Sequence, residues 1–209
     1  MSMLLSALTA TLKASLMGAK EVFEAADDAD FKRHLHAAAQ DLGRYVKRRR
    51  QGSITLIAGQ TAYDVPVDLI SMGVSSWGDS LRNTTQPWDD NWPGIHPTVR
   101  VISGTPKQLE INPAPTAAQI TQCGSDFPFT YYATHIVSED DGATTVPEEA
   151  RALLILRAQA EAMKELSFRN STKPVKIGGG IAGGSKNGTP AALYQQLMES
   201  FETLGAAWR

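Results

Sequence analysis

The stretch from Thr144 to Phe168, TTVPEEARALLILRAQAEAMKELSF, constrains the fold of this chain more than any other. Thr145 is placed to cap a helix, Pro147 suits a first turn, and Glu148 follows Thr145 at capping-box spacing. Glu148 and Glu149 fall at the positive end of the helix dipole. Ala150, Leu153, Leu154, Arg157, Ala158, Glu161 and Ala162 then recur at helical spacing, and Leu156, Ala160, Met163 and Leu166 make a second apolar stripe. A helix that is apolar on two faces and rich in alanine packs on both sides. It therefore needs helical neighbours, which the chain offers towards both of its ends. Between Gly52 and Asp141 the pattern is that of β structure inserted into the helical frame.

At 209 residues the chain fits one domain, or one domain with a large insertion, and can bury a core without disulfide staples. A net charge of −2 gives no global attraction to nucleic acid or acidic membranes. Cys123 is the one cysteine, so no intrachain disulfide forms; with no His or Asn context it reads as a packed or surface thiol. The N-terminal stretch has no basic region before its apolar run, and Lys13 interrupts that run. No stretch approaches the roughly 18 apolar residues of a membrane span. The expectation is a soluble intracellular product with no membrane association.

Residues 2–23 read as a first helix on the spacing of Leu4, Leu5, Leu8, Leu12, Leu16 and Ala19. Asp28 or Asp30 can cap a second, whose apolar face is Phe31, Leu35, Ala38, Leu42, Tyr45 and Val46. His34 and His36 lie two residues apart, point to different faces, and are expected at the surface or rim. Lys47, Arg48, Arg49 and Arg50 precede Gly52, as basic residues do at a helix C-terminus. The functional reading of that cluster is a patch facing DNA phosphates or an acidic protein partner.

From Ser53 the period changes to two. SITLI and TAYDV flank AGQ and read as a hairpin. LISMGVSSW, TVRVIS and KQLEI read as further strands, and in FPFTYYATHIV the residues Phe127, Phe129, Tyr131 and Ala133 share one side. The longest interruption, residues 78–98, holds Pro87, Pro93 and Pro97 together with Trp88, Asp89, Asp90, Trp92 and His96. Two carboxylates and a histidine could bind a metal, and two indoles could stack on a sugar. Asp89 and Asp90 are adjacent, however, and diverge in an extended chain. The favoured reading is a loop held by tryptophan packing or touching a partner.

Six glycines lie between Gly178 and Gly188. Gly178, Gly180 and Gly183 fit G-x-G-x-x-G, but no strand–turn–helix surrounds them, and the order Gly184-Ser185-Lys186 is not a Walker motif. The stretch reads as a flexible tether. Thr189 and Pro190 then open a last helix with Leu193, Leu197, Phe201, Leu204 and Trp208 on one stripe. That helix has two readings: it folds back on the other helices, or it docks into another subunit.

The order helix, helix, β insertion, helix, tether, helix resembles the head-to-tail adaptor (connector, tail tubular-type) proteins of tailed bacteriophages. Three features carry the resemblance: Gly59-Gln60-Thr61-Ala62-Tyr63-Asp64-Val65-Pro66-Val67-Asp68-Leu69, similar to the family's G-Q-x-x-Y-x-[LV]-P-x-D-[LF] segment; Leu109-Glu110-Ile111-Asn112-Pro113-Ala114-Pro115 ahead of the aromatic strand with Tyr131-Tyr132; and Val146-Pro147-Glu148-Glu149-Ala150 opening an alanine-rich helix. The glycine-rich run departs from the family pattern. The resemblance implies a non-enzymatic virion protein of the neck, made in the bacterial host cytoplasm, with no cofactor, no metal and no catalytic residue. It implies a ring of about twelve copies beneath the portal protein, which continues the DNA channel without sequence-specific binding and docks a tail or nozzle protein. By the same resemblance Phe201, Leu204 and Trp208 are candidate portal anchors, and Trp88 and Trp92 candidate contacts with a neighbouring or tail protein. Arg48 and Arg49 remain candidate interface residues from the basic cluster.

The expected fold is α+β, a bundle of about four helices with an inserted small antiparallel sheet or barrel-like region. Its parts are N-terminal helices at 1–51, a β-rich insertion at 52–143, the central helix at 144–169, the tether at 170–188 and the C-terminal helix at 189–209. Two other functions stay open on the sequence: an enzyme or sugar-binding module using the Trp88–His96 loop, and another neck or tail-completion component.

Overall fold

The structure, a computed structural model, describes residues 3–23, 25–90, 92–140, 142–170 and 189–208. Residues 171–188, nearly all of the expected tether, lie outside the described residues. In chain order the elements are α1 (Leu5–Leu16), α2 (Ala29–Leu42), β1 (Arg48–Thr55), β2 (Ala62–Asp64), β3 (Leu69–Ser75), α3 (Asp79–Arg82), β4 (Thr98–Ile102), β5 (Gln108–Asn112), α4 (Ala117–Cys123), β6 (Asp126–Ala133), α5 (Arg151–Asn170) and α6 (Pro190–Ala206). The fold is α+β, in two compact units: Met1–Lys47 with His135–Arg209, and Arg48–Thr134.

The first unit is a helical bundle in which α5 packs against α1, α2 and α6. Its core is built on Leu8, Leu12, Leu35, Leu42, Leu154 and Phe201, all fully buried. The apolar repeats of α5 are thus explained by neighbours on more than one side. Its start differs from expectation. Thr145 caps nothing: its amide bonds to the Ile136 carbonyl at 3.0 Å and its hydroxyl accepts from the Ile136 amide at 2.9 Å. That pairing holds the chain extended past Thr145. A short 3-10 turn, Glu148–Ala150, then leads into α5 from Arg151. The buried His135 ring sits beside this junction, with Nδ1 2.9 Å from the Thr145 carbonyl oxygen and Nε2 3.0 Å from that of Val46.

The first two helices are also shorter than the sequence suggests. α1 ends at Leu16, where Met17 takes a left-handed φ of 50°, and a 3-10 turn follows over Met17–Val22. Asp28 precedes α2 with φ 59° and makes no capping hydrogen bond; its carboxylate pairs with Lys13 instead. α2 stops at Leu42, ahead of Gly43, so the basic cluster is not a helix terminus: Arg48, Arg49 and Arg50 open strand β1. His34 is buried and only His36 is exposed, which corrects the expectation of two surface histidines.

The second unit holds two open antiparallel sheets, ordered β1-β6-β3 and β2-β5-β4, and not a closed barrel. The alternation of the last strand is as its sequence requires: Phe127, Phe129, Tyr131 and Ala133 are buried and intervening residues are not. Opposite them on β1 lie Ile54, Gly52, Arg50 and Arg48. Leu69, Trp77, Leu109 and Ile111 complete the core. SITLI and TAYDV do not form a hairpin, because β1 pairs with β6 whereas β2 pairs with β5. Gly59, at φ 80°, turns the chain from one sheet towards the other, and its amide bonds to the Pro115 carbonyl at 2.9 Å. The Tyr63 hydroxyl fastens the same turn through the Ile57 amide and carbonyl, each at 3.1 Å. Helix α4 is an element that the strand periodicity does not predict; Thr116 and Gln119 form the capping box that the T-A-A-Q spacing offers.

Candidate functional site

In the helical unit the site is the outer stripe of α6. Thr189 caps this helix by accepting from the Ala192 amide at 3.2 Å, with Pro190 in its first turn. The helix folds back on α5, and its apolar stripe divides into an inner and an outer part. Phe201 is only 1% exposed: its ring meets Tyr45 edge-on at 5.3 Å, and the Arg157 guanidinium lies 6.0 Å from its centroid. Gly205 allows this close approach, since a Cβ there would lie 2.5 Å from the Tyr45 ring. Leu204 and Trp208 are 55% and 38% exposed and border a groove with Glu149, Ala152, Leu153 and Ala207.

Two ionic clusters tie α2 to α5 in this bundle. Arg157, buried under Phe201, donates through Nε to Asp41 at 2.8 Å and through Nη2 to Glu161. Burial alone would disfavour its charge, but the two carboxylates outweigh that and hold it firmly protonated. One helical turn on, Glu165 accepts from His34 at 2.9 Å, Arg33 at 2.6 Å and Arg169 at 3.0 Å. Burial opposes ionisation of Glu165, yet the hydrogen bonds from His34, Arg169 and Arg33 bring its carboxyl down to about 2.

In the β unit the three arginines of β1 separate by strand alternation. Arg48 and Arg50 lie on the side of Tyr131 and share Asp68, whose Oδ2 is 2.7 Å from Arg50 and 3.6 Å from Arg48. The other Asp68 oxygen accepts from the Tyr131 hydroxyl at 3.2 Å. Burial opposes the Asp68 charge, and the Arg50 hydrogen bond and charge more than compensate, so its carboxyl titrates below the usual range. Arg49 points to the opposite face, exposed, with a 3.4 Å contact to the Thr130 hydroxyl. The sequence cluster is therefore not one continuous basic patch.

The 78–98 loop places its aromatic residues apart. Trp88 is 80% exposed, whereas Trp92 is half-buried in a small cleft with Gly94, Ile95 and His96. Asp89 accepts from the Gln86 amide at 2.7 Å and thereby closes a turn, and Asp90 is exposed. His96 packs against Trp77, with ring centroids 5.7 Å apart. Among the described residues no group of three or more His, Cys, Asp or Glu could hold a metal ion. Burial pushes the Cys123 thiol above its ordinary pKa, which makes it a weaker nucleophile. No helix among the described residues is long and apolar enough to cross a membrane.

The family model of the SU10 adaptor protein matches residues 3–204. No match is found among curated proteins. A match over nearly the whole chain places this protein in the SU10 adaptor family, a family of phage head-to-tail adaptors.

Proposed function

We propose that this adaptor-family chain is the structural ring component between portal and tail: subunits assemble side by side beneath the portal, continue the DNA channel, and present a docking surface to the tail or nozzle. The observation that carries the reading is the family match over residues 3–204. The division of α6 supports it at the level of residues. Phe201 is committed to the chain's own bundle, so the anchor to the portal narrows to Leu204 and Trp208, whose apolar surface faces solvent. Trp88, the most exposed indole, is assigned to a neighbouring subunit or the tail. The role is structural and not catalytic. Asp89 is spent on closing its own loop and His96 on packing against Trp77, which leaves the enzyme reading without a convergent set of groups.

The test is a phage lacking this protein, complemented with variants. Without it, particles should carry portals and packaged heads but no tails. A Leu204→Asp/Trp208→Asp variant should keep its fold, as read by circular dichroism, because the fully buried Phe201 holds α6 to the bundle, yet fail to restore tailed particles. Tailed, infectious particles from the null phage would refute the adaptor role.

A further inference from the structure

The arginine-bearing strand has a property that the adaptor reading does not use. β1 is an edge strand, since the sheet order is β1-β6-β3. It pairs with β6 residue for residue over its whole length, from Arg48 opposite Ala133 to Thr55 opposite Asp126, with no bulge. The opposite edge is different. β3 slips register between Leu69 and Ser71 and again between Met72 and Ser75, which blunts it against further pairing. An uninterrupted edge of eight residues, free of proline, offers a row of outward backbone donors and acceptors, the basis of recognition by strand addition.

The side chains say what would add there. On the inner side Arg48 and Arg50 share one carboxylate, Asp68, so that end of the strand keeps excess positive charge. On the other face Arg49 has, among the described residues, the Thr130 hydroxyl alone, and Gln51 and Ser53 follow it along the strand; the groove of about 620 Å³ that they border runs over the sheet face across Pro128 and Thr130 of β6 to Val74, beside the edge and not on it. A hydroxyl, an amide and a guanidinium with no carboxylate partner among the described residues, set along the edge strand, match an extended peptide carrying a carboxylate. A second copy's β1 does not meet that description, because the strand contains no acidic residue.

We propose that the outer edge of β1 takes up an extended acidic segment of a different neck protein as an added strand, with a carboxylate of that segment set against Arg49. The inference rests on the adaptor reading for the source of the partner. The experiment compares hydrogen exchange in the free protein and in necks isolated from virions, with a photo-crosslinker at position 51 to identify the neighbour. Outward amides within 48–55 should slow by about 100-fold on assembly while those of 69–75 do not, and the crosslink should join a different protein. Arg49→Glu should weaken assembly by about tenfold or more, against less than about twofold for Arg100→Gln, an exposed arginine on β4 paired with Glu110. Unchanged exchange at 48–55, a crosslink between two copies of this chain, or equal behaviour of the two variants would each overturn the proposal with the adaptor role intact. Absence of the protein from necks would instead refute the adaptor role, and the inference with it.

Discussion

Glu165 is one source of acid sensitivity in the helical unit. Its carboxyl is held at about 2 in the folded chain, against about 4.3 when unfolded. A depressed folded pKa contributes stability that is fully present above the unfolded value and is lost as pH falls towards the folded one. Glu165→Gln should therefore be clearly less stable than the parent at pH 7, and the difference should shrink between about pH 4.5 and pH 2, as read by urea unfolding at each pH. Arg157 sets a different requirement. Removing Asp41 leaves a buried guanidinium with Glu161 as its remaining carboxylate, so Asp41→Ala should cost about 2–4 kcal/mol in the same measurement. Arg157→Met removes the charge together with its desolvation penalty and should cost less than Asp41→Ala; the reverse order would contradict this view of the cluster.

Helix α6 shows at the scale of an element what the sequence discloses and what it hides. Its cap, its first proline and its apolar stripe follow from local spacing, and all are present. Which residues of the stripe are buried depends on Tyr45 and Arg157, distant in sequence. Phe201→Ala should destabilise the bundle by about 3–5 kcal/mol. Leu204→Ala should change it by less than about 1 kcal/mol, and Trp208→Ala, whose indole is partly covered, by less than Phe201→Ala does. Thermal unfolding distinguishes the two classes. The alternation of β6 was legible for the same reason as the α6 stripe: it is a period of two within one segment. Strand pairing was not. β1 and β6 are separated by the rest of the β unit, so the local pattern suggested a hairpin where the chain changes sheets at Gly59. The capping box of α5 failed similarly, because pairing of Thr145 with Ile136 competes with the cap. The interface candidates were legible as residue types only; alternation split Arg49 from Arg48 and Arg50, and packing split Phe201 from Leu204 and Trp208.

On the scale of the whole molecule, a helical bundle interrupted in sequence by a two-sheet unit belongs to the SU10 adaptor family across residues 3–204. Under the proposed adaptor role, the large residues left at the surface, Trp88, Leu204 and Trp208 among them, would be covered on assembly. Trp88→Ala should accordingly leave thermal stability within about 0.5 kcal/mol of the parent while lowering the yield of tailed particles in the complementation assay. The most direct test of the adaptor role is the native mass of the pure full-length protein, alone and mixed with the cognate portal ring. Addition of about twelve copies per portal ring, lost in the Leu204→Asp/Trp208→Asp variant, is the expected result. A protein that stays monomeric and leaves the portal mass unchanged would contradict it.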